Sequence, residues 1–211
     1  MRVVDLGRME YRATWDVQLT THAEVLAGGD DTLLLVEHDP VLTLGANFHA
    51  ENLLHPVEHY RARGIDVVTT DRGGDVTYHG PGQLTIYPIF NLEPRGKDLH
   101  RWLRDLEETQ IHTLRTFGLQ SRRFPPYTGA WVADQKVSAI GIKVKKWVSL
   151  HGIALNVDPD LSIYRDFVPC GIQNFGVTSL TQLLGRTVSF DEAKQATIDA
   201  FTWLATGSTT T

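Results

Sequence analysis

The chain's single cysteine, Cys170, stands in the run Phe167-Val168-Pro169-Cys170-Gly171-Ile172. Proline fixes φ and removes a backbone donor, and glycine opens conformations closed to other residues. The pair therefore predicts a shaped loop that holds the sulfur at a defined angle. Catalytic groups concentrate on such loops, and a thiolate there would serve as a nucleophile. An inert, buried thiol fits this run equally well.

A second chemical signal is Asp71-Arg72-Gly73-Gly74-Asp75-Val76-Thr77-Tyr78-His79-Gly80-Pro81-Gly82-Gln83-Leu84, with four glycines, a proline, an arginine and a histidine in fourteen residues. Paired glycines let a backbone approach a ligand and present its N–H groups, while Arg72, Tyr78 and His79 supply directed polar contacts. No Gly-Lys-Ser/Thr follows, and the spacing is not that of a dinucleotide fold. A structural hairpin connection is the alternative. A third signal joins Lys136-Val137-Ser138-Ala139-Ile140-Gly141 to His151-Gly152-Ile153-Ala154-Leu155-Asn156. Small residues at 138, 139 and 141 leave space beside a strand, which suits an elongated apolar guest such as an acyl chain. Taken alone, Lys136 reads as a strand-edge lysine and His151 as a structural histidine. Zinc is a poor explanation for His79 and His151, which have no further ligand at short spacing, and no metal is expected.

These groups need a scaffold. Residues 11–27 carry Tyr11, Trp15, Leu19, His22 and Val25/Leu26 near helical spacing, and 98–117 do the same with Leu99, Trp102, Leu103, Leu106, Leu114 and Phe117. A third helix starts at the capping box of Ser189 and Glu192 and runs through Leu204, leaving 207–211 as a frayed tail. Strands are expected at Thr32–Val36, Val41–Leu44, Ile65–Thr69, Gln83–Ile89, Ala130–Ala133, Val137–Val144 and Val148–Val157. Several follow one another with no room for a helix. That order predicts an α+β fold with a mixed, largely antiparallel sheet and flanking helices.

The length of 211 residues, with 42% hydrophobic, suits one domain spanning 1–211. The first residues lack a secretory pattern and no apolar run could cross a bilayer, so a cytoplasmic location and no membrane partner are expected. One cysteine fits a reducing compartment. A net charge of −5 argues against nucleic acid. Four of the six lysines, Lys136, Lys143, Lys145 and Lys146, fall within eleven residues, either a solvated hairpin surface or a dock for an acidic protein.

Arg72 to Leu84, Lys136 to Gly141, His151 to Asn156, Pro169-Cys170-Gly171-Ile172 and Val177-Thr178-Ser179-Leu180, in this order, closely resemble the octanoyltransferases of lipoate biosynthesis over about residues 30 to 185. Ala130, where a branched residue is expected, is one departure. The resemblance implies a fold shared with biotin and lipoate protein ligases. It also implies octanoyl transfer from octanoyl-acyl carrier protein to a lysine of lipoyl domains, such as those of 2-oxoacid dehydrogenase E2 subunits or the glycine-cleavage H protein. On that implication Cys170 is the acyl-accepting nucleophile and Lys136 activates it. Arg72, Gly73, Gly74, Asp75, Val76, Thr77, Tyr78, His79, Ala139, Ile140, Gly141, His151, Gly152, Ile153 and Ala154 would contact the substrate. No cofactor is expected and a monomer suffices. The rivals are an ATP-dependent lipoate or biotin ligase, a cysteine hydrolase pairing Cys170 with His79 or His151, and a non-catalytic acyl-binding module.

Overall fold

The computed structural model describes residues 1–169 and 175–207. In chain order the elements are β1 (Arg2–Met9), α1 (Tyr11–Leu26), β2 (Thr32–His38), β3 (Val41–Leu44), α2 (Val57–Ala62), β4 (Asp66–Thr69), β5 (Val76–His79) and β6 (Gln83–Ile89). There follow α3 (Leu99–Thr116), β7 (Arg122–Phe124), β8 (Tyr127–Val132), β9 (Gln135–Lys145), β10 (Val148–Asn156), β11 (Gly176–Val177), α4 (Leu180–Leu184) and α5 (Phe190–Ala205). Of the tail expected at 207–211, only Gly207 is described.

The main sheet has the order β1-β2-β6-β10-β9-β8-β7, with β11 alongside β9, and a smaller sheet has the order β4-β3-β5. Pairing is antiparallel except for β1 with β2, β3 with β4 and β11 with β9. The largely antiparallel α+β arrangement is therefore observed. In central strand β2 every apolar residue is buried, because alternate side chains enter two cores. Leu33 and Leu35 meet Leu84, Ile86, Ile153 and Leu155 on the face covered by α3 and α5. Leu34 and Val36 meet Tyr87, Ile89 and Leu150 on the face covered by α1.

The helix starts are chemically marked. Glu10 accepts from the Arg12 and Ala13 amides at α1, Asp98 from Arg101 at α3, and Ser189 with Glu192 closes the capping box of α5. Helix α1 buries Tyr11, His22 and Val25 of the expected set but departs from it elsewhere. Thr14, Gln18 and Thr21 are buried beside Tyr11, His22 and Val25, whereas Leu19 and Leu26 are 47% and 43% exposed. The reason is tertiary: α1 lies over polar groups of β10, and Gln18 Oε1 accepts from the His151 amide at 2.9 Å. Helix α3 is tied to the β7–β8 hairpin by Glu107, fully buried, which accepts from Arg104, Arg123 and the Gly129 amide.

Candidate active site

Between the glycine-rich segment, the β9–β10 hairpin and the first turns of α3 lies a cavity of about 380 Å³. The hairpin register sets its wall by pairing Gly141 with Gly152 and Ala139 with Ala154. From Ala139 to Val144 the wall follows β9 for five steps, about 17 Å at the usual strand rise, and Lys136 also borders the cavity. The trough is thus long and mostly apolar, with Ile140, Ile142, Val144 and Leu103 along it.

The glycines act differently from the sequence expectation. The Gly73 amide donates to the Ile142 carbonyl at 2.8 Å, and a Cβ on Gly141 would lie 2.8 Å from the Gly73 carbonyl oxygen. A Cβ on Gly152 would run into the Ile86 carbonyl and the Pro88 ring. Both glycines therefore permit close backbone packing. Ser138 is buried and directed at Gln110 of α3 through a 3.1 Å hydrogen bond. Of the three small residues expected to make room for a guest, only Ala139 has a side chain at the cavity.

Arg72, Gly73, Gly74, Thr77 and His79 border the cavity, as do Ala139 to Gly141 and His151 to Ala154. Asp75, Val76 and Tyr78 do not line it. Asp75 accepts from the His49 amide at 3.2 Å and from Asn52, so it holds the segment before α2. Val76 and Tyr78 pack in the small sheet's own core. Strand alternation explains the split, since the odd positions Thr77 and His79 face the cavity. Arg72 is buried and braces the loop, donating to the Thr43 carbonyl at 2.5 Å, Thr43 Oγ1 at 2.9 Å and the Asp75 carbonyl at 2.7 Å.

Burial disfavours the charged form of two histidines in the wall. Burial pushes His79 well below the ordinary histidine value, and the charges of His38 and Arg72 act in the same direction. Burial also lowers His151, although Asp71 accepts from its Nε2 at 2.8 Å and opposes the shift. Asp71 is held below its usual value: burial works to raise it, but the hydrogen bonds from His151 and Lys143 prevail. Lys143 reaches Asp71 at 2.9 Å. The lysine cluster is thus divided, with Lys143 paired at the cavity, Lys136 further down β9, and Lys145 and Lys146 exposed at the turn.

Lys136 borders both the main cavity and a neighbouring one of about 30 Å³. Its Nζ lies 5.0 Å from the Trp131 ring centre, and its carbonyl accepts from the Thr178 amide at 3.0 Å. Pro169 and Phe175, the described residues on either side of 170–174, border the smaller cavity with it. Cys170, Gly171 and Ile172 lie outside the described residues. Sequence reasoning did not single out Tyr11, Thr85, Tyr87, Leu99, Leu103 or Thr128, all of which line the main cavity. The alternation of β6 carried a signal for Thr85 and Tyr87; Tyr11 reads only as the first apolar residue of a helix.

Residues 10–202 match the family model described as lipoyl protein ligase A/B catalytic domain. The chain is 44% identical over 205 residues to an octanoyltransferase of Geobacter metallireducens, covering 97% of this chain and 93% of that protein. It is 46% identical over 202 residues to an octanoyltransferase of a Roseiflexus strain, covering 94% and 84%. The chain belongs to the octanoyltransferase family. The resemblance carried by the motifs is thereby established, and the octanoyltransferase assignment makes the chain a transferase. Among solved structures, the octanoyltransferase fold superposes on an ATP-bound lipoate-protein ligase A with a TM-score of 0.78 at 20% identity, covering 97% of this chain and 85% of that one. A biotin protein ligase from Aquifex aeolicus gives a TM-score of 0.58 at 12% identity, covering 98% and 69%. At these identities the likeness is one of fold.

Proposed function

We propose that the enzyme moves an octanoyl group from octanoyl-acyl carrier protein, through a thioester on Cys170, to a lysine of lipoyl domains such as those of 2-oxoacid dehydrogenase E2 subunits and the glycine-cleavage H protein. It would act as a cytoplasmic monomer. The observation that carries this reading is that Lys136, Pro169 and Phe175 border one small cavity that adjoins the long apolar trough. The residue proposed to activate the thiol and the residue that precedes it in sequence thus meet beside a channel shaped for a chain.

The chemistry divides into two steps. The Cys170 thiolate attacks the donor's thioester carbonyl, and the carrier thiolate leaves. A thioester replaces a thioester, so no nucleotide activation is required. A free thiol with an ordinary pKa of about 8.5 is mostly protonated at neutral pH, and a nearby ammonium favours its ionisation. The acceptor lysine amine then attacks the acyl-enzyme, the amide forms, Cys170 leaves as thiolate, and the amine proton passes to a base. Lys136 is assigned both tasks. The residues proposed to contact the acyl chain are those of the trough, Ala139 to Gly141 and Gly152 to Ala154, with Arg72, Gly73, Gly74, Thr77 and His79 of the glycine-rich segment bordering the same cavity.

Transfer of octanoate from octanoyl-carrier protein to a lipoyl domain should proceed with ATP and Mg²⁺ omitted. A strict ATP requirement would instead favour the ligase reading. Lys145 and Lys146, exposed at the β9–β10 turn, are the basic groups available to an acidic protein. Lys145→Glu with Lys146→Glu should raise KM for the protein substrate several-fold and leave a short acyl thioester nearly unaffected, as lost steering by local charge requires. Lys143 is kept in this test, because a glutamate there would oppose Asp71 and disturb the cavity itself. An unchanged KM would remove the turn from the docking surface.

A further inference from the structure

A chain of buried amides crosses the sheet behind the cavity, and its donor and acceptor roles are fixed from one end. The Thr178 carbonyl can only accept, so the group 3.0 Å from it is the amide nitrogen of Asn156. The Asn156 oxygen therefore faces Gln83, 3.0 Å away, and accepts from Gln83 Nε2. The same Nε2 donates to the Tyr78 carbonyl at 3.1 Å, which fixes the Gln83 amide a second time. Gln83 Oε1 is left as an acceptor 2.7 Å from His79 Nδ1. Nδ1 must then carry the proton, and Nε2 carries the lone pair. Gln83, Asn156 and Thr178 are each at most 4% exposed, so water does not compete for these bonds.

We propose that Gln83 and Asn156 are positioning residues that lock His79 in its Nδ1–H tautomer, presenting Nε2 to the cavity as a hydrogen-bond acceptor for an N–H of the substrate. The surroundings favour an uncharged acceptor. The Tyr11 ring of α1 stacks on His79 at 6.0 Å, His38 of β2 meets it edge-on at 5.7 Å, and Arg72 and His151 oppose a further positive charge. His38 follows the same logic: its Nδ1 faces the Met9 carbonyl and its Nε2 the Tyr87 hydroxyl. The chain also reaches the thiol-activating side of the site, because Thr178, whose carbonyl starts it, donates its amide to Lys136. An N–H that reaches Nε2 belongs either to the acyl donor's arm or to the attacking amine. That part rests on the acyl-transfer reading, whereas the tautomer does not.

The test begins with the wild-type protein carrying ¹⁵N-labelled histidine, with His79 assigned by the signal lost in His79→Gln. Two-bond ¹H–¹⁵N correlation is expected to show Nδ1 protonated and Nε2 bare at neutral pH; the opposite tautomer overturns the proposal. Gln83→Met keeps the side chain's length and removes the acceptor. It should let the Nε2–H form appear and slow one half-reaction about tenfold in single-turnover measurements. Slower acylation of Cys170 assigns the N–H to the donor's arm, and slower discharge to the lipoyl domain assigns it to the amine. A wild-type tautomer in Gln83→Met, or an altered tautomer with both rates unchanged, overturns the proposal. If no acyl group ever reaches Cys170, the acyl-transfer reading fails while the spectrum still decides the tautomer.

Discussion

Replacing Lys136 with methionine is expected to slow octanoyl transfer by about 10³-fold with little change in Tm. Methionine keeps most of the stem that lies over Trp131, and the strand's backbone bonds to β8, β10 and β11 do not involve the side chain. What disappears is a charge and a base. Removing a positioned proton acceptor costs about 10² to 10⁴ in rate, and the thiol also loses the ammonium that favours its ionised form. The two losses separate experimentally. Alkylation of Cys170 by iodoacetamide, followed against pH, reads the thiolate alone, and its midpoint should move to higher pH in the variant. Discharge of a preformed acyl-enzyme to the lipoyl domain reads the base. A variant with wild-type alkylation and wild-type transfer would remove Lys136 from the mechanism.

Gly152→Ala is expected to damage the fold first and the activity as a consequence. Gly152 sits where β10 pairs with β9 through Gly141, and a methyl group there would collide with the Ile86 carbonyl of β6 and the ring of Pro88. Those obstacles are backbone and ring atoms of the most buried strands, so they cannot swing aside. Overpacking of this kind costs about 3 kcal/mol, which for a chain of this size lowers Tm by about 10 °C. Thermal unfolding followed by circular dichroism measures it. An unchanged Tm would mean that β6 and β10 can separate locally, and the trough's wall would then be softer than its register implies.

The sequence made some levels of this molecule legible and hid others, for physical reasons. Strand β6 was readable to the residue, Gln83–Ile89, because turn-forming Gly80-Pro81-Gly82 bounds one end and β-formers fill the run. Helix α5 was announced by its capping box. Strand β1 was not, since it is an edge strand with mixed exposure and a register irregularity between Asp5 and Arg8. In α1 the apolar spacing located the buried face only in part: Tyr11, His22 and Val25 are buried, but Leu19 and Leu26 are exposed, and Gln18 turns inward to satisfy a backbone amide of β10. No local pattern encodes a partner 133 residues away.

The candidate site divides the same way. Motif composition pointed to the glycine-rich segment and to the β9–β10 hairpin, and both meet at the cavity. Side-chain direction was harder to read. Within Asp75-Val76-Thr77-Tyr78-His79, strand pleat sends Thr77 and His79 to the cavity and Val76 and Tyr78 to the other core. That assignment needed the strand's existence, and the glycines on both sides of it suggested a loop. The contacts contributed by Tyr11, Leu99 and Leu103 come from helix ends, whose proximity is set by how whole layers pack.

The role of Cys170 as acyl carrier is tested by the mass of the protein after incubation with octanoyl-acyl carrier protein alone, with no acceptor and no ATP. One added octanoyl group is expected, mapped by peptide analysis to Cys170, absent in Cys170→Ser, and discharged when a lipoyl domain is added. Transfer that proceeds at full rate in Cys170→Ser, or an unmodified Cys170 in an enzyme that is turning over, would contradict it.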